Sequence, residues 1–401
     1  MPAPALAPSA PAPAPARRLP SRAAFALVVA LVITFLAASS APSPLYALYR
    51  EAWGFSALVL TVVFSSYAFA LLAALLVFGA LSDHLGRRTV ILAALVLEIG
   101  AVALFWQAGS VGWLIAARVL QGIATGMATS VMSAMLLDLN PVRGALFNSL
   151  SPMIGMAVGA LGASALVQFA PEPMHLVYEV LLVALVLQAL LALRLPDTVT
   201  PRPGAWASMV PRAHVPRPAR ALVLRLMPLN TAGWALGGFY LSLGPTLARL
   251  VTGRATPLAG GVLIATLVLT GAAAMYVVRQ RPARRVLRAS AALLAVGLAV
   301  TLFGVHAQQA VPFFGGTVVA GMGFGASFNA AVRSLVPVAT PHERAGLMSS
   351  FFVLSYLAFS VPAILAGLAV GTFGLHATTL GYGLVLVTLA LLAWKTTHER
   401  T

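Results

Sequence analysis

The sequence predicts an all-α integral membrane protein with twelve transmembrane helices in two six-helix, pseudo-symmetric halves. Three observations carry that expectation. Only 8% of the 401 residues are charged while 60% are hydrophobic, and mean hydropathy is +0.95. A soluble domain carries about 25% charged residues, and so apolar a chain has too little polar surface to cover a water-soluble fold. Apolar runs of about 20 residues, the length that spans a bilayer, recur along the chain. The basic residues between those runs fall alternately sparse and dense, as topology requires when one side of the membrane collects arginine. The net charge of +16 has this membrane explanation, so no nucleic-acid partner is expected. Cysteine is absent, which removes disulfides and thiolate metal sites.

The elements follow in order. Residues 1–20, "MPAPALAPSAPAPAPARRLP", form a Pro/Ala tail expected to be disordered. Arg17, Arg18 and Arg22 before an apolar run that ends in small residues resemble a signal peptide. That run is long enough to span, and many more follow, so it reads as a retained first helix. The spans are placed at 22–44, 56–80, 89–109, 112–137, 143–169, 175–195, 221–247, 256–279, 286–305, 311–336, 346–371 and 375–395. Spans 3 to 6 are so closely joined that merging is the main hazard there. With the N-terminus inside, twenty basic residues lie in cytoplasmic segments, three outside (Arg50, Arg249, Arg254) and two within spans (Arg118, Arg333). An odd span count would break that alternation. Pro42 and Pro44 are expected to end span 1, with Tyr46, Tyr49 and Trp53 in an aromatic belt at the outer interface.

A Pro- and Arg-rich segment, residues 196–220, divides an N-terminal half (21–195) from a C-terminal half (221–396), and 397–401 form a short tail. The halves resemble each other. "RVLQGIATGMATSVMSAML" (118–136) aligns with "VVAGMGFGASFNAAVRSLV" (318–336), placing Gly122 and Gly126 on Gly321 and Gly325. Arg143 falls against Arg344, and "HLGRRTVI" (84–91) against "RPARRVLR" (281–288). Three matches in one order at an offset near 200 residues indicate an internal repeat.

The turn "GALSDHLGRR" (79–88) between spans 2 and 3 carries Gly79, Leu81, Asp83, Gly86, Arg87 and Arg88. It resembles the signature loop of the major facilitator superfamily, roughly G-x-L-x-D-x-x-G-R-R/K. The resemblance implies that family's fold over residues 22–395. It also implies a conformational latch of Gly79, Asp83, Gly86, Arg87, Arg88 and Asp138 that clasps the halves on the cytoplasmic side in the outward-open state. Asp83 would contact the start of span 11 near Ala345–Met348, and Arg87 or Arg88 would join Asp138. The counterpart at 281–288 has lost its acid and its glycine. "RVLQGIATG" (118–126) looks like the R-x-x-Q-G-x-x-x-G pattern of proton-coupled members. "GMAVGALGAS" (155–164) departs from the drug/proton antiporter pattern of span 5 by lacking its proline. Its glycines Gly155, Gly159 and Gly162 read better as a packing face.

A charge within a span costs about 2.5–3.5 kcal/mol or more on insertion scales, so each one needs a reason. Arg118, in span 4, is the candidate cavity charge. Glu98, in span 3, is either a proton carrier or part of a structural pair. A Glu that moves between a buried and an Arg-facing setting can take up and release a proton. Glu179 reads as interfacial and Arg333 as a topological anchor. Thr34, Gln121, Thr125, Asn230, Trp234, Tyr240 and Asn329 are candidate cavity-lining residues, with Ser39 and Tyr46 beside them. Asn230 and Trp234 share a helix face at i, i+4.

The resulting expectation is a secondary active transporter, not an enzyme, that moves a small molecule by alternating access. Proton-coupled efflux is the first reading. Uptake of a metabolite, for instance an anion held by Arg118, is the alternative, and a non-transporting membrane sensor is a third. No His/Asp or His/Glu pair within a span has catalytic or ligand spacing, and no nucleotide-binding loop is present. No cofactor or metal is expected, only a proton gradient. The chain is expected as a monomer, multi-pass in the bacterial inner (plasma) membrane, with both termini cytoplasmic and a small-molecule substrate and the lipid bilayer as partners.

Overall fold

A computed structural model describes residues 18–211, 213–253, 256–340 and 342–398. The tail through Arg17, residues 399–401, and Arg212 and Arg254 lie outside the described residues.

Helices account for nearly all of the described chain. They are α1 (Ser21–Ser40), α2 (Pro42–Trp53), α3 (Ala57–Phe78), α4 (Leu81–Leu85), α5 (Arg87–Trp106), α6 (Val111–Leu139), α7 (Pro141–Phe169) and α8 (Pro173–Ala192). After the short α9 (Ala205–Ser208) come α10 (Arg217–Ser242), α11 (Gly244–Thr252), α12 (Pro257–Val278), α13 (Ala283–His306), α14 (Ala310–Leu335) and α15 (Arg344–His398). Ten of these stretches, with α1 and α2 taken together, are long and apolar enough to cross a membrane. α15 is one of the ten but holds two arms, spans 11 and 12, joined at Gly374, whose φ of 77° and ψ of 165° break the helix. α10 is span 7; Arg217, Arg220 and Arg225 at its start lower its hydropathy. The chain thus presents twelve spanning arms among the described residues. The close joins of spans 3 to 6 are real breaks, with Asn140 alone separating α6 from α7. Its side chain accepts from the Arg143 N–H at 2.9 Å and caps α7.

Pro42 and Pro44 do not simply end span 1. They open α2, which continues with a small offset at Ala41. Proline is tolerated there because first-turn N–H groups have no helical acceptor. Tyr46 and Tyr49, expected at the interface, are instead fully buried, each 1% exposed. The second half repeats the device: α10 ends at Ser242 and α11 restarts with Pro245 in its first turn. Both short helices close on a left-handed glycine, Gly54 (φ 65°) and Gly253 (φ 63°).

Small residues set the packing. α6 lies on α3, where a Cβ on Gly122 would sit 2.7 Å from Ala70 Cβ and one on Gly126 2.6 Å from Ala74 Cβ. α14 lies on α12, where a Cβ on Gly271 would stand 3.1 Å from Gly325 Cα. The glycine pairs of the sequence repeat therefore do the same job in each half. Gly155 and Gly159 seat α7 on α1, whereas Gly162 faces open space, so the expected packing face is two glycines wide.

The turn at 79–88 and the central segment lie on one face. The Arg202 N–H donates to the His84 carbonyl at 3.2 Å, and the His84 ring meets the Arg202 and Pro203 carbonyls. We call this the loop face and its opposite the far face. The halves meet along α7–α12 and α3–α15. Glu51 pairs with Arg249 at 3.2 Å, Gln168 accepts from the Leu258 N–H at 3.3 Å, and Gly261 and Gly367 press on Ser164 and Thr61. Ser65 donates to the Ser360 carbonyl at 3.4 Å near mid-depth. These contacts lie at the far face or mid-depth, so the bundle is closed there.

Candidate functional site

Within the first half a buried polar relay crosses three spans. α6 presents Arg118 and Gln121 on one face, and α5 presents Glu98 toward them; all three are at most 1% exposed. Arg118 Nε donates to the Tyr46 hydroxyl at 2.7 Å, and Nη2 reaches the same oxygen. Nη1 donates to the Ser39 carbonyl and to Gln121 Oε1, both at 2.8 Å. Gln121 Nε2 donates to Glu98 Oε1 at 3.0 Å. A guanidinium can only donate, so it fixes the amide's orientation and turns the NH2 group toward Glu98. The remaining carboxyl oxygen, Glu98 Oε2, is buried without a hydrogen-bond partner among the described residues.

Aromatic rings wall the relay. The guanidinium carbon lies 5.3 Å from the Tyr67 centroid, 5.4 Å from Tyr46 and 5.6 Å from Phe105. Phe105 stacks on Tyr178, whose hydroxyl bonds Tyr49 at 2.9 Å. Cation–π contact adds about 2 kcal/mol or more when desolvated. This explains how a charge sits in the bundle without an adjacent carboxylate. Sequence reasoning missed Tyr67, Phe105 and Tyr178. The sole signal was that each is an aromatic in or beside an apolar span, which does not tell which face it takes.

The other candidate residues divide into distinct settings. Thr125 is buried beside the Tyr67 hydroxyl. Thr34 accepts from Gln188 at 2.7 Å, so it faces α8 and not the other half. Asn230 exchanges hydrogen bonds with Ser355 at 2.9 and 3.3 Å. It also lines a narrow cleft with Leu226, Leu287, Ser327 and Phe328. Trp234 meets Phe328, Tyr356 and Phe359 edge-on at 5.4, 4.9 and 5.8 Å, and Phe359 reaches Phe64 of the first half at 5.1 Å. An aromatic cluster thus sits where the halves meet. Tyr240 is 2% exposed and bonds Thr317 at 2.9 Å, a link internal to the second half. Asn329 is half-buried on α14. Glu179, exposed, accepts from Trp106 Nε1 at 3.1 Å, and Arg333 donates to the Arg279 and Arg281 carbonyls at 2.7 and 3.1 Å, closing the end of α12.

At the loop face, Arg87 is 7% exposed and holds three groups: Asp83 at 2.5 Å, Ser82 at 2.6 Å and Asp138 at 3.1 Å. Gly86 adopts φ 91°, which favours glycine. Asp83 does not reach the start of span 11; its partner is Arg87, one helical turn away. The group that reaches Gly346 is the His214 N–H of the central segment, at 3.2 Å. Asp197, which sequence reasoning passed over, accepts from the Arg88 N–H at 3.0 Å, and Thr198 donates to Asp138 at 2.7 Å. The central segment therefore sits on the turn at one end and touches span 11 at the other. Gly79 follows α3 in helical conformation.

A family model described as Major Facilitator Superfamily matches residues 27–281. No curated protein matches the chain in sequence. Among solved structures, the crystal structure of a mutant of the nucleoside transporter NupG superposes with a TM-score of 0.72 at 14% identity, over 94% of this chain and all of that one. The human organic anion transporter MFSD10 (TETRAN) superposes at 0.65 and 18% identity, over 94% of this chain and 100% of its own. At such identities the likeness is one of fold. The family model covers well over half of the chain, including the signature turn and the relay. The chain belongs to the Major Facilitator Superfamily, and is a multi-pass membrane transporter, not an enzyme.

Proposed function

We propose that this protein is a secondary active transporter that exports a small, partly apolar molecule in exchange for protons, by alternating access. The observation that carries the reading is the Arg118–Gln121–Glu98 relay, which ends in a buried carboxyl oxygen without a partner among the described residues. A buried unpaired charge is costly. A proton on Oε2 removes it, and the relay couples that proton to the position of span 4. Four of the five N–H donors of Arg118 are committed to Tyr46, Ser39 and Gln121, which speaks against uptake of an anion held by this arginine. The aromatic cluster around Trp234, with Asn230 nearby, suits a molecule with an apolar ring and one hydrogen-bonding group. The solved relatives' titles name a nucleoside transporter and an organic anion transporter, so the fold leaves the substrate open.

In this reading the loop face is cytoplasmic, with both termini on it, in a bacterial inner membrane; the transporter works as a monomer and needs no cofactor beyond the gradient. The far-face closure is then an inward-facing state. A latch that engages in the outward-open state is released in it, which accounts for Asp83 turning to Arg87 and not to span 11. The domain limits are 21–195 and 221–396, with 196–220 as the connecting segment.

A thermal-shift screen supplies a ligand, and flux of that ligand in proteoliposomes tests the reading. A proton gradient directed inward, with the outside acid, accelerates extrusion if protons are coupled. Equal flux with and without the gradient removes proton coupling, and binding without flux turns the reading to a sensor.

A further inference from the structure

The turn between α12 and α13 places Arg279, Arg281, Arg284, Arg285 and Arg288 within ten residues and no acid among them. Its counterpart in the first half holds two arginines, and Asp83, Asp138 and Asp197 meet them within 4.0 Å. After Asp197 the described chain carries one acid, Glu343. That carboxylate is engaged by the Thr340 hydroxyl at 2.5 Å and N–H at 3.2 Å, which holds it below the usual carboxylate range. No ion pair joins Arg279, Arg281, Arg285 or Arg288 to a carboxylate among the described residues.

The surroundings are those of a membrane boundary. The Arg279 guanidinium lies 3.9 Å from the Tyr276 ring and Arg288 5.8 Å from the Trp394 ring. Tyr276 is 46% and Trp394 39% exposed, as befits rings at the headgroup level. Leu391 and Leu392, exposed just before Trp394 on α15, continue the surface toward the apolar belt. Cations at headgroup depth beside an exposed aliphatic wall fit a molecule with a phosphate at one end and acyl chains at the other.

We propose that this turn, with the end of span 12, is a binding site for an anionic phospholipid. Arg281, Arg285 and Arg288 take the phosphate, and Leu391 and Leu392 lie along the acyl chains. The site is separate from the relay and stands whether or not protons are coupled.

The test uses the full chain in lipid nanodiscs of phosphatidylcholine, with phosphatidylglycerol titrated in, and native mass spectrometry of the lipid retained. The wild type retains phosphatidylglycerol in preference to phosphatidylcholine. In the variant Arg281→Gln/Arg285→Gln/Arg288→Gln retention weakens by about fivefold for each arginine removed. A control, Arg143→Gln/Arg202→Gln/Arg217→Gln, removes three exposed charges elsewhere on the loop face and keeps the wild-type retention. Added phosphatidylglycerol raises the unfolding temperature of the wild type and the control and leaves the triple variant unmoved, so a misfolded variant is recognised by its baseline. Equal retention by all three proteins overturns the proposal, as does equal loss in the control, which shows diffuse charge. Displacement by millimolar inorganic phosphate assigns the site to free phosphate and overturns the lipid.

Discussion

The two halves make the same link with different chemistry. Four residues before the paired glycines of span 4 stands Arg118; four before those of span 10 stands Thr317. Each side chain reaches back to the first helix pair of its own half. Arg118 bonds Ser39 and Tyr46, and Thr317 bonds Tyr240 at 2.9 Å. A neutral pair of hydroxyls is therefore enough to tie the fourth helix of a half to its first. The charge in the first half exceeds what packing needs, and charge in a bilayer carries a cost that function must justify. The loops repeat the contrast: Arg87 and Arg88 are met by carboxylates, whereas Arg279, Arg281, Arg285 and Arg288 have no carboxylate partner among the described residues.

The widest break in this comparison comes from Arg118→Leu. It leaves the Tyr46 hydroxyl, the Ser39 carbonyl and Gln121 Oε1 without their donor, and removes the charge that orients the relay. Removing one member of a buried charged network costs about 3–5 kcal/mol. Chemical unfolding in detergent reads that loss, and flux in proteoliposomes falls to background. A variant as stable and as active as wild type would show that the halves are equivalent after all.

Glu98→Gln sharpens the comparison next, because it removes the titrating group and little else. The new amide still accepts from Gln121, so stability changes by about 1 kcal/mol or less. Facilitated flux of the ligand down its own gradient persists, and acceleration by an acid gradient is lost. Retained acceleration moves proton coupling to another residue.

Much of this asymmetry was legible in the residues themselves. Arg118, Glu98 and Gln121 stand out because polar groups are rare in spans, and the glycine repeat showed which helices correspond. The relay was not legible, since period alone does not say that Glu98 on span 3 and Arg118 on span 4 turn to the same point. Thr34 shows the converse failure: a polar residue on span 1 looked inward and instead faces span 6, satisfied by Gln188. The α2 segment misled for a local reason. Pro42 and Pro44 signal a stop, but a proline pair also fits the first turn of a new helix, and that turn carries Tyr46 into the core. Asp197 was hidden by its place in a Pro-rich segment that has no period to read.

At the loop face the comparison predicts a smaller, conformational effect. Asp83→Asn weakens the hold on Arg87 in this state and takes away the acid expected to clasp span 11 in the other. Losing a state-dependent contact shifts a two-state balance by roughly an order of magnitude. Cycling slows by about that factor while expression and ligand binding persist, as flux and thermal shift would report; wild-type turnover would rule out the latch. Gly86→Ala acts on the same turn from the other side. Its Cβ would stand 2.9 Å from Asp197 Oδ1 at a φ of 91°. The expected result is faster proteolysis of the central segment, with the relay and its gradient response intact.

The smallest effect belongs to the second half's own link. Thr317→Val keeps the shape and removes the hydroxyl that meets Tyr240. Hydrogen bonds between membrane helices average about 0.6 kcal/mol in double-mutant cycles, because the loosened partners find substitutes. Tyr240→Phe should cost a similar amount, and the double variant no more than either alone, since one bond is broken three ways. Chemical unfolding of the three proteins measures this, with gradient-driven flux expected at the wild-type level throughout. A loss near that of Arg118→Leu, or a lost gradient response, would place part of the coupling machinery in the second half and end the division of labour that the neutral pair implies.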